Sequence, residues 1–220
     1  MEQCLPEDAL VRRGRDQAAP VRERPLRLGF VGRPHADKGI HVLASAFDSL
    51  SRDLPVELWI VHSQLATPGL LRAHFPSPRR FDADVATGRI KLIRPSGQPQ
   101  VYELMAGMDV GVVPSIAYES PSLAMLEFVA QGTPVVRSES RGMEHVIQDR
   151  VNGRTFPYGD SAALAAVIQE IAANPEIISR WRSALPRIGS DDEYAAKLEC
   201  LFSTLRQRRK AATPIEFQHV

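Results

Sequence analysis

The feature that most limits how this chain can fold is an alternation. Short apolar runs at Leu26–Val31, Val56–Val61, Ile90–Ile93, Val110–Val113 and Pro134–Val136, with a weaker one at Arg154–Phe156, are separated by helix-period segments. Those segments lie at Ile40–Leu50, Gln100–Met108, Ser122–Gln131 and Glu144–Asp149. Short strands that are apolar throughout are buried on both faces, and the helices between them supply right-handed crossovers. The pattern predicts an α/β fold, a Rossmann-like doubly wound parallel sheet of about six strands. The connection at 64–89 holds Pro68, Pro76 and Pro78 and predicts no definite element. Further on, Asp160 is a good N-cap for a helix to Ala173, and Pro175 suits the first turn of a second. Asp191, Asp192 and Glu193 open a last helix to about Arg206; its acidic start and basic end (Arg206, Arg208, Arg209, Lys210) both complement the helix dipole.

With 220 residues, the chain fits one large domain plus tails better than two domains. Residues 1–24 are polar, arginine-rich and broken by Pro6, Gly14 and Pro20, which predicts a leader or linker with little core of its own. Residues 25–206 form the domain, and residues 207–220 a basic and polar tail. A formal net charge of +1 gives no electrostatic case for nucleic acid. The longest apolar runs are far below membrane-spanning length. Cys4 and Cys200 stand apart, with no CxxC pair or Cys/His cluster, which fits a reducing cytoplasm and offers no metal site. The basic end of the last helix reads first as a solvated terminus. Peripheral contact with the inner face of a membrane is the alternative.

Two stretches carry chemistry. The first strand runs into "GRPHADKG", with Gly32, Arg33, Lys38 and Gly39 on the loop before a helix. In a doubly wound sheet this loop lies at the carboxyl edge of the strands, where ligands bind. Gly32 allows close backbone approach, while the Arg33 fork and the Lys38 point charge together suit a diphosphate. The loop is neither GxGxxG nor a Walker sequence, which counts against a dinucleotide dehydrogenase or a P-loop NTPase. Two solvated cations on a surface loop would look the same. The second stretch, "ESPSLAMLE", puts Glu119 in a loop after a strand and Glu127 inside the following helix. The Ser122 and Leu123 amides at that helix start would supply free N–H donors beside two acceptors suited to sugar hydroxyls. Ordinary surface glutamates account equally well for the spacing alone.

Together these stretches resemble the G-R-x-x-x-x-K-G loop and the E-x7-E motif of retaining glycosyltransferases of family four, which have the GT-B fold. In that family both motifs belong to the C-terminal, donor-binding domain. The similarity continues through "QGTPVV", "VNGRTFPYGD" and "LAAVIQEIAANPE", over about residues 25–205. The resemblance implies that Arg33 and Lys38 neutralise the diphosphate of a nucleotide-sugar and that Glu127 accepts hydrogen bonds from the ribose. It implies that Glu119 holds a hydroxyl of the transferred sugar, with the backbone of Ser122 and Leu123 near the phosphates or sugar. By the same resemblance no cofactor or metal is required, and the sugar passes to a glycan or lipid-linked acceptor, as in polysaccharide synthesis. The chain would then be the donor half of such an enzyme, inactive without a Rossmann-like N-terminal acceptor domain in cis or in trans. A nucleotide-sugar 2-epimerase, or a non-catalytic assembly or regulatory module of the same fold, are the alternatives. The last helix is expected to expose Leu198, Leu201 and Phe202.

The chain also departs from the family pattern. Ser120–Pro121–Ser122 replaces an aromatic–glycine pair, and His62–Ser63–Gln64 stands where a glycine-rich turn is usual. In "RGMEH", His145 rather than Glu144 occupies a family glutamate position, and no function is carried to either. Asp82–Ala83–Asp84 is similar to the metal-binding DxD of the other major glycosyltransferase fold but follows the second strand of a GT-B-like domain, so no metal role is assigned. His35 is a second-rank anion donor. Trp59 is expected in the strand core, and Trp181 as the anchor of a C-terminal helix.

Overall fold

The computed structural model describes residues 4–5, 7–10, 24–62, 68–117, 122–139 and 144–211. Six strands form one all-parallel sheet: β1 (Leu26–Val31), β2 (Val56–Val61), β3 (Ile90–Ile93), β4 (Val110–Val113), β5 (Val135–Ser138) and β6 (Gly153–Phe156). Their order across the sheet is β3-β2-β1-β4-β5-β6. This is the doubly wound arrangement of two mononucleotide-binding halves that meet at the first and fourth strands.

Side-chain alternation along the strands feeds two separate cores. Leu26, Leu28 and Phe30 of β1 stand beside Val56, Leu58 and Ile60 of β2 and face one layer. That layer contains helices α1 (Ile40–Ser49), α2 (Pro68–Arg72), α3 (Pro78–Ala86), α6 (Ser161–Ala173) and α7 (Glu176–Ser183). Trp181 is buried in it and fastens α7, as expected. The opposite face packs α4 (Gln98–Ala106) and α5 (Leu123–Ala130). There Gly111 of β4 leaves room for the Phe128 ring, which would lie 2.6 Å from an added Cβ. Trp59 packs against this second layer only in part, with Arg27 and Lys91 over its ring at 5.1 and 5.2 Å.

Local chemistry sets the helix ends. Asp160 caps α6 by accepting from the Ala163 N–H at 2.9 Å, as its sequence position predicts. Ser77 caps α3 in the same way, ahead of Pro78 at the first helical position, so the proline-rich connection does contain helix. The predicted helix at Glu144–Asp149 does not form. The Asn152 side chain accepts from the Gln148 N–H and donates to the Val146 carbonyl, taking backbone groups that a helix would need. The fifth strand runs on past Val136 through Arg137 and Ser138, two buried polar residues whose character hid the strand from a hydrophobicity reading.

Two residues of the predicted leader join the second core: Leu5 and Ala9 are buried against α4 and α5, and the Gln131 side chain donates to the Ala9 carbonyl. Cys4–Leu5 pairs in parallel with Gly189–Ser190, just before helix α8 (Asp191–Ala211). On α8, Leu201, Phe202 and Leu205 are 53%, 57% and 49% exposed. Among the described residues no helix is long and apolar enough to cross a membrane.

Candidate functional site

After β1 the chain turns towards β2, and after β4 it turns the other way towards β5. The two connections diverge and leave a crevice at the carboxyl ends of β1 and β4. A cleft of about 360 Å³ occupies this place. Phe30, Val31 and Gly32 close it at the end of β1, and Val112, Val113, Pro114 and Ser115 at the end of β4. Lys38 enters from the first loop, and Ser122, Leu123 and Ala124 from the start of α5. Gly32, Lys38, Ser122 and Leu123, distant in sequence, are thus brought together in one cavity.

The first loop is fixed by contacts with the second. Gly32 adopts a φ of 145° and has open space where a side chain would begin. Gly39, at a φ of 68°, lies so close to β4 that a Cβ there would meet the Pro114 carbonyl oxygen at 1.8 Å. Only glycine combines that conformation with that approach. The Asp37 carbonyl accepts from the Ile116 N–H (2.9 Å), the Ala117 N–H (3.2 Å) and the Ser115 hydroxyl (3.1 Å). Ser138, buried at the end of β5, donates in turn to the Ser115 carbonyl at 2.6 Å. The ends of three strands therefore brace the turn that carries Lys38, a form of pre-organisation that suits ligand binding.

Charge in the loop is shaped by its neighbours. The Asp37 carboxylate takes bonds from the His35 ring at 2.5 Å and from the Lys38 N–H at 2.9 Å. Burial pushes its pKa upward, but these bonds and the charges of His35 and Lys38 outweigh that and hold it below the usual carboxylate range. His35 is thereby engaged with Asp37 and is exposed. Arg33 is exposed and does not line the cleft. It lies near enough to His62, at the end of β2, to act on it: burial first, and then the Arg33 charge, lower the His62 pKa.

Helix α5 begins with Ser122 in an extended conformation, and its hydroxyl makes no capping bond. The first amides of a helix have no intrahelical acceptor, so this end faces the cleft as a donor surface with a positive dipole end. Leu123 is 66% exposed at the rim. Glu127 follows Leu123 by four positions and Ala124 by three, so it lies on the same helix face one turn behind the cleft lining. It is half-buried, burial raises its pKa, and the Gln98 side-chain amide donates to its Oε1 at 3.0 Å.

Glu119 lies outside the described residues, as do Ser63, Gln64, Ser120 and Pro121. Asp82 and Asp84 are on α3, where Arg72 grips Asp82 with two bonds from Nε and one from Nη2, at 3.0–3.1 Å. Asp84 is buried beside Arg52 and Arg80, at 3.6 and 3.9 Å. Among the described residues no group of three or more His, Cys, Asp or Glu is placed to hold a metal. Sequence reasoning missed Ser115, Ser138 and Gln98. The available signal was their position at or just beyond the carboxyl ends of strands.

Fold and site together define a doubly wound α/β domain with its cleft at the switch point, between a glycine-rich cationic loop and a helix N-terminus. The chain belongs to the family of glycosyl transferases group 1, whose model matches residues 25–174. It is 28% identical over 197 residues to a glycogen synthase of Mycobacterium tuberculosis, covering 86% of this chain and 46% of that protein. The chain therefore spans about half the length of that relative. Its fold is similar to that of Anabaena Alr3699/HepE in complex with UDP, with a TM-score of 0.66 at 21% identity over 82% of this chain and 49% of the other. It is similar also to the C-terminal domain of the group 1 protein LpcC from Francisella tularensis. There the TM-score is 0.64 at 14% identity, over 80% of this chain and 92% of that one. At these identities the likenesses to solved structures establish the fold.

Proposed function

We propose that this domain binds a nucleotide-diphosphate-sugar and forms the donor half of a retaining glycosyltransferase acting on a glycan or lipid-linked acceptor. The observation that carries the proposal is the cleft itself, which joins Gly32, Lys38, Ser122 and Leu123 at the switch point with Arg33 on the adjoining loop. Support comes from the relatives: HepE has been solved in complex with UDP and with UDP-glucose. In the proposed reaction the bond from the anomeric carbon to the phosphate oxygen breaks and its electron pair stays on the diphosphate, while an acceptor hydroxyl oxygen bonds the same carbon and its proton passes to the released diphosphate. Negative charge then grows beside Lys38 and the α5 N-terminus, which face the cleft before reaction, with Arg33 supplied from the exposed adjoining loop, and no metal partner is needed. Glu127 takes the ribose hydroxyls, and Glu119 a hydroxyl of the sugar. An acceptor domain supplied in cis or in trans completes the enzyme, in the cytoplasm or at the inner membrane face, and the domain alone binds nucleotide weakly with little transfer.

Calorimetric titration of UDP, GDP and ADP tests this directly. One nucleotide is expected to bind, and Arg33→Ala with Lys38→Ala to weaken it at least about tenfold, since charge-assisted phosphate bonds are each worth roughly 1.5–3 kcal/mol. Binding unchanged in the double variant would refute the phosphate site.

A further inference from the structure

We propose that Gln98 is a positioning residue for Glu127, holding one carboxylate oxygen so that the other meets a ribose hydroxyl; this rests on the nucleotide reading above. Gln98 is the first residue of α4 and follows β3 through a short loop, whereas Glu127 lies in the middle of α5. Its side-chain N–H bridges the two helices, reaching Oε1 of Glu127 at 3.0 Å. An ionised carboxylate has two oxygens with about four acceptor sites between them, so one amide donor leaves Oε2 and further lone pairs for a ligand.

Glutamate has three side-chain torsions, and an unheld Glu127 would have to be ordered at the moment of binding. The Gln98 contact shifts that ordering into the free protein, which favours association. It also supplies a hydrogen bond to the ionised form of a half-buried acid, opposing the burial that favours the neutral form. Gln98 is itself exposed and belongs to neither core, so its replacement leaves the packing of both layers in place. The opposite role, a side chain that occupies the ribose position and must be displaced, predicts the reverse sign.

The test uses the full chain and whichever of UDP, GDP and ADP binds it, together with the 2′-deoxy and 3′-deoxy forms of that nucleotide. Gln98→Met keeps the length of the side chain and removes the donor. Affinity for the ribonucleotide is expected to fall about five- to tenfold. The preference over at least one deoxy analogue should shrink by a similar factor, with an unchanged melting temperature. In a Glu127→Ala background, Gln98→Met should have no further effect. Tighter or unchanged ribonucleotide binding by Gln98→Met would overturn the positioning role, as would an equal loss in the Glu127→Ala background. Those results differ from failure of the nucleotide reading, in which the wild-type chain binds none of the three nucleotides and both inferences fall.

Discussion

Replacing Gly39 by alanine tests the switch-point architecture at its tightest contact. A Cβ at Gly39 would lie 1.8 Å from the Pro114 carbonyl oxygen, whereas carbon and oxygen need about 3 Å or more. The first loop and the end of β4 must therefore part by roughly 1 Å. Alanine in the left-handed region costs about 1–2 kcal/mol. Parting the loops also strains the three bonds to the Asp37 carbonyl, each worth about 0.5–1.5 kcal/mol. The expected loss is about 3–5 kcal/mol, a large share of a typical stability of about 5–15 kcal/mol. For a chain of this size that lowers the melting temperature by roughly 6–20 °C. Gly88→Ala is the control, because Gly88 has a φ of 78° but nothing within 4 Å of an added Cβ, so only the conformational part applies. Urea denaturation of both variants separates the two contributions, and nucleotide titration should show weakened binding only for Gly39→Ala, whose loop carries Lys38. If Gly39→Ala costs no more than Gly88→Ala, close packing on Pro114 is not what fixes the loop that carries Lys38.

Two further predictions concern burial. Burial raises the Glu127 pKa, so the folded chain holds that proton more tightly than the unfolded chain does. Its contribution to stability is fully present below the unfolded glutamate pKa and is lost as pH rises through the raised folded value. Glu127→Gln should therefore be more stable than wild type at about pH 7 and lose that advantage near about pH 4. The same change should weaken nucleotide binding and make it less dependent on pH in the acid range. Denaturation and titration at the two pH values check this, and a less stable Glu127→Gln at neutral pH would contradict it. At the other end of the chain, Leu5→Ala should cost about 2–4 kcal/mol because Leu5 is buried between elements distant in sequence. A loss under about 0.5 kcal/mol in chemical denaturation would show that Leu5 does not help close the second core.

The sheet was legible because its strands are apolar on both faces, and their spacing left little choice of connection. The loop at residues 32–39 was legible as a tight strand-to-helix turn, because Gly32 and Gly39 hold positive φ values open to few other residues. What escaped was structure held by backbone carbonyls. Ser115 and Ser138 look like ordinary loop serines in sequence, yet both are buried and pass a hydrogen-bonded chain from β5 to Asp37. Local spacing could not reveal the Gln98–Glu127 contact either, since the two residues are 29 positions apart. The false helix at 144–149 arose because apolar spacing carries no record of an Asn152 side chain competing for the same backbone groups. Leu5 and Ala9 were hidden by the polar residues around them, since two burials in a short segment make no periodic signal.

The two edges of the sheet treat charge in opposite ways, and the contrast bears on where a ligand belongs. At the amino edge Asp109 is fully buried but takes two bonds from Arg24 at 2.7 and 2.8 Å, one from the Arg27 N–H at 2.9 Å, and faces Arg182 at 3.7 Å. That carboxylate is met on all sides by its own chain, as a buried charge requires. At the carboxyl edge Glu127 has burial against its ionised form and an amide as its hydrogen-bonding neighbour. On the same edge, the charged form of His62 is disfavoured by burial and by Arg33, and Gly39 holds a conformation open to few residues. A fold able to compensate Asp109 so fully has the means to relieve such conflicts. On the reading proposed above, their concentration on the edge that carries the cleft is what an anionic, hydroxyl-bearing ligand would relieve.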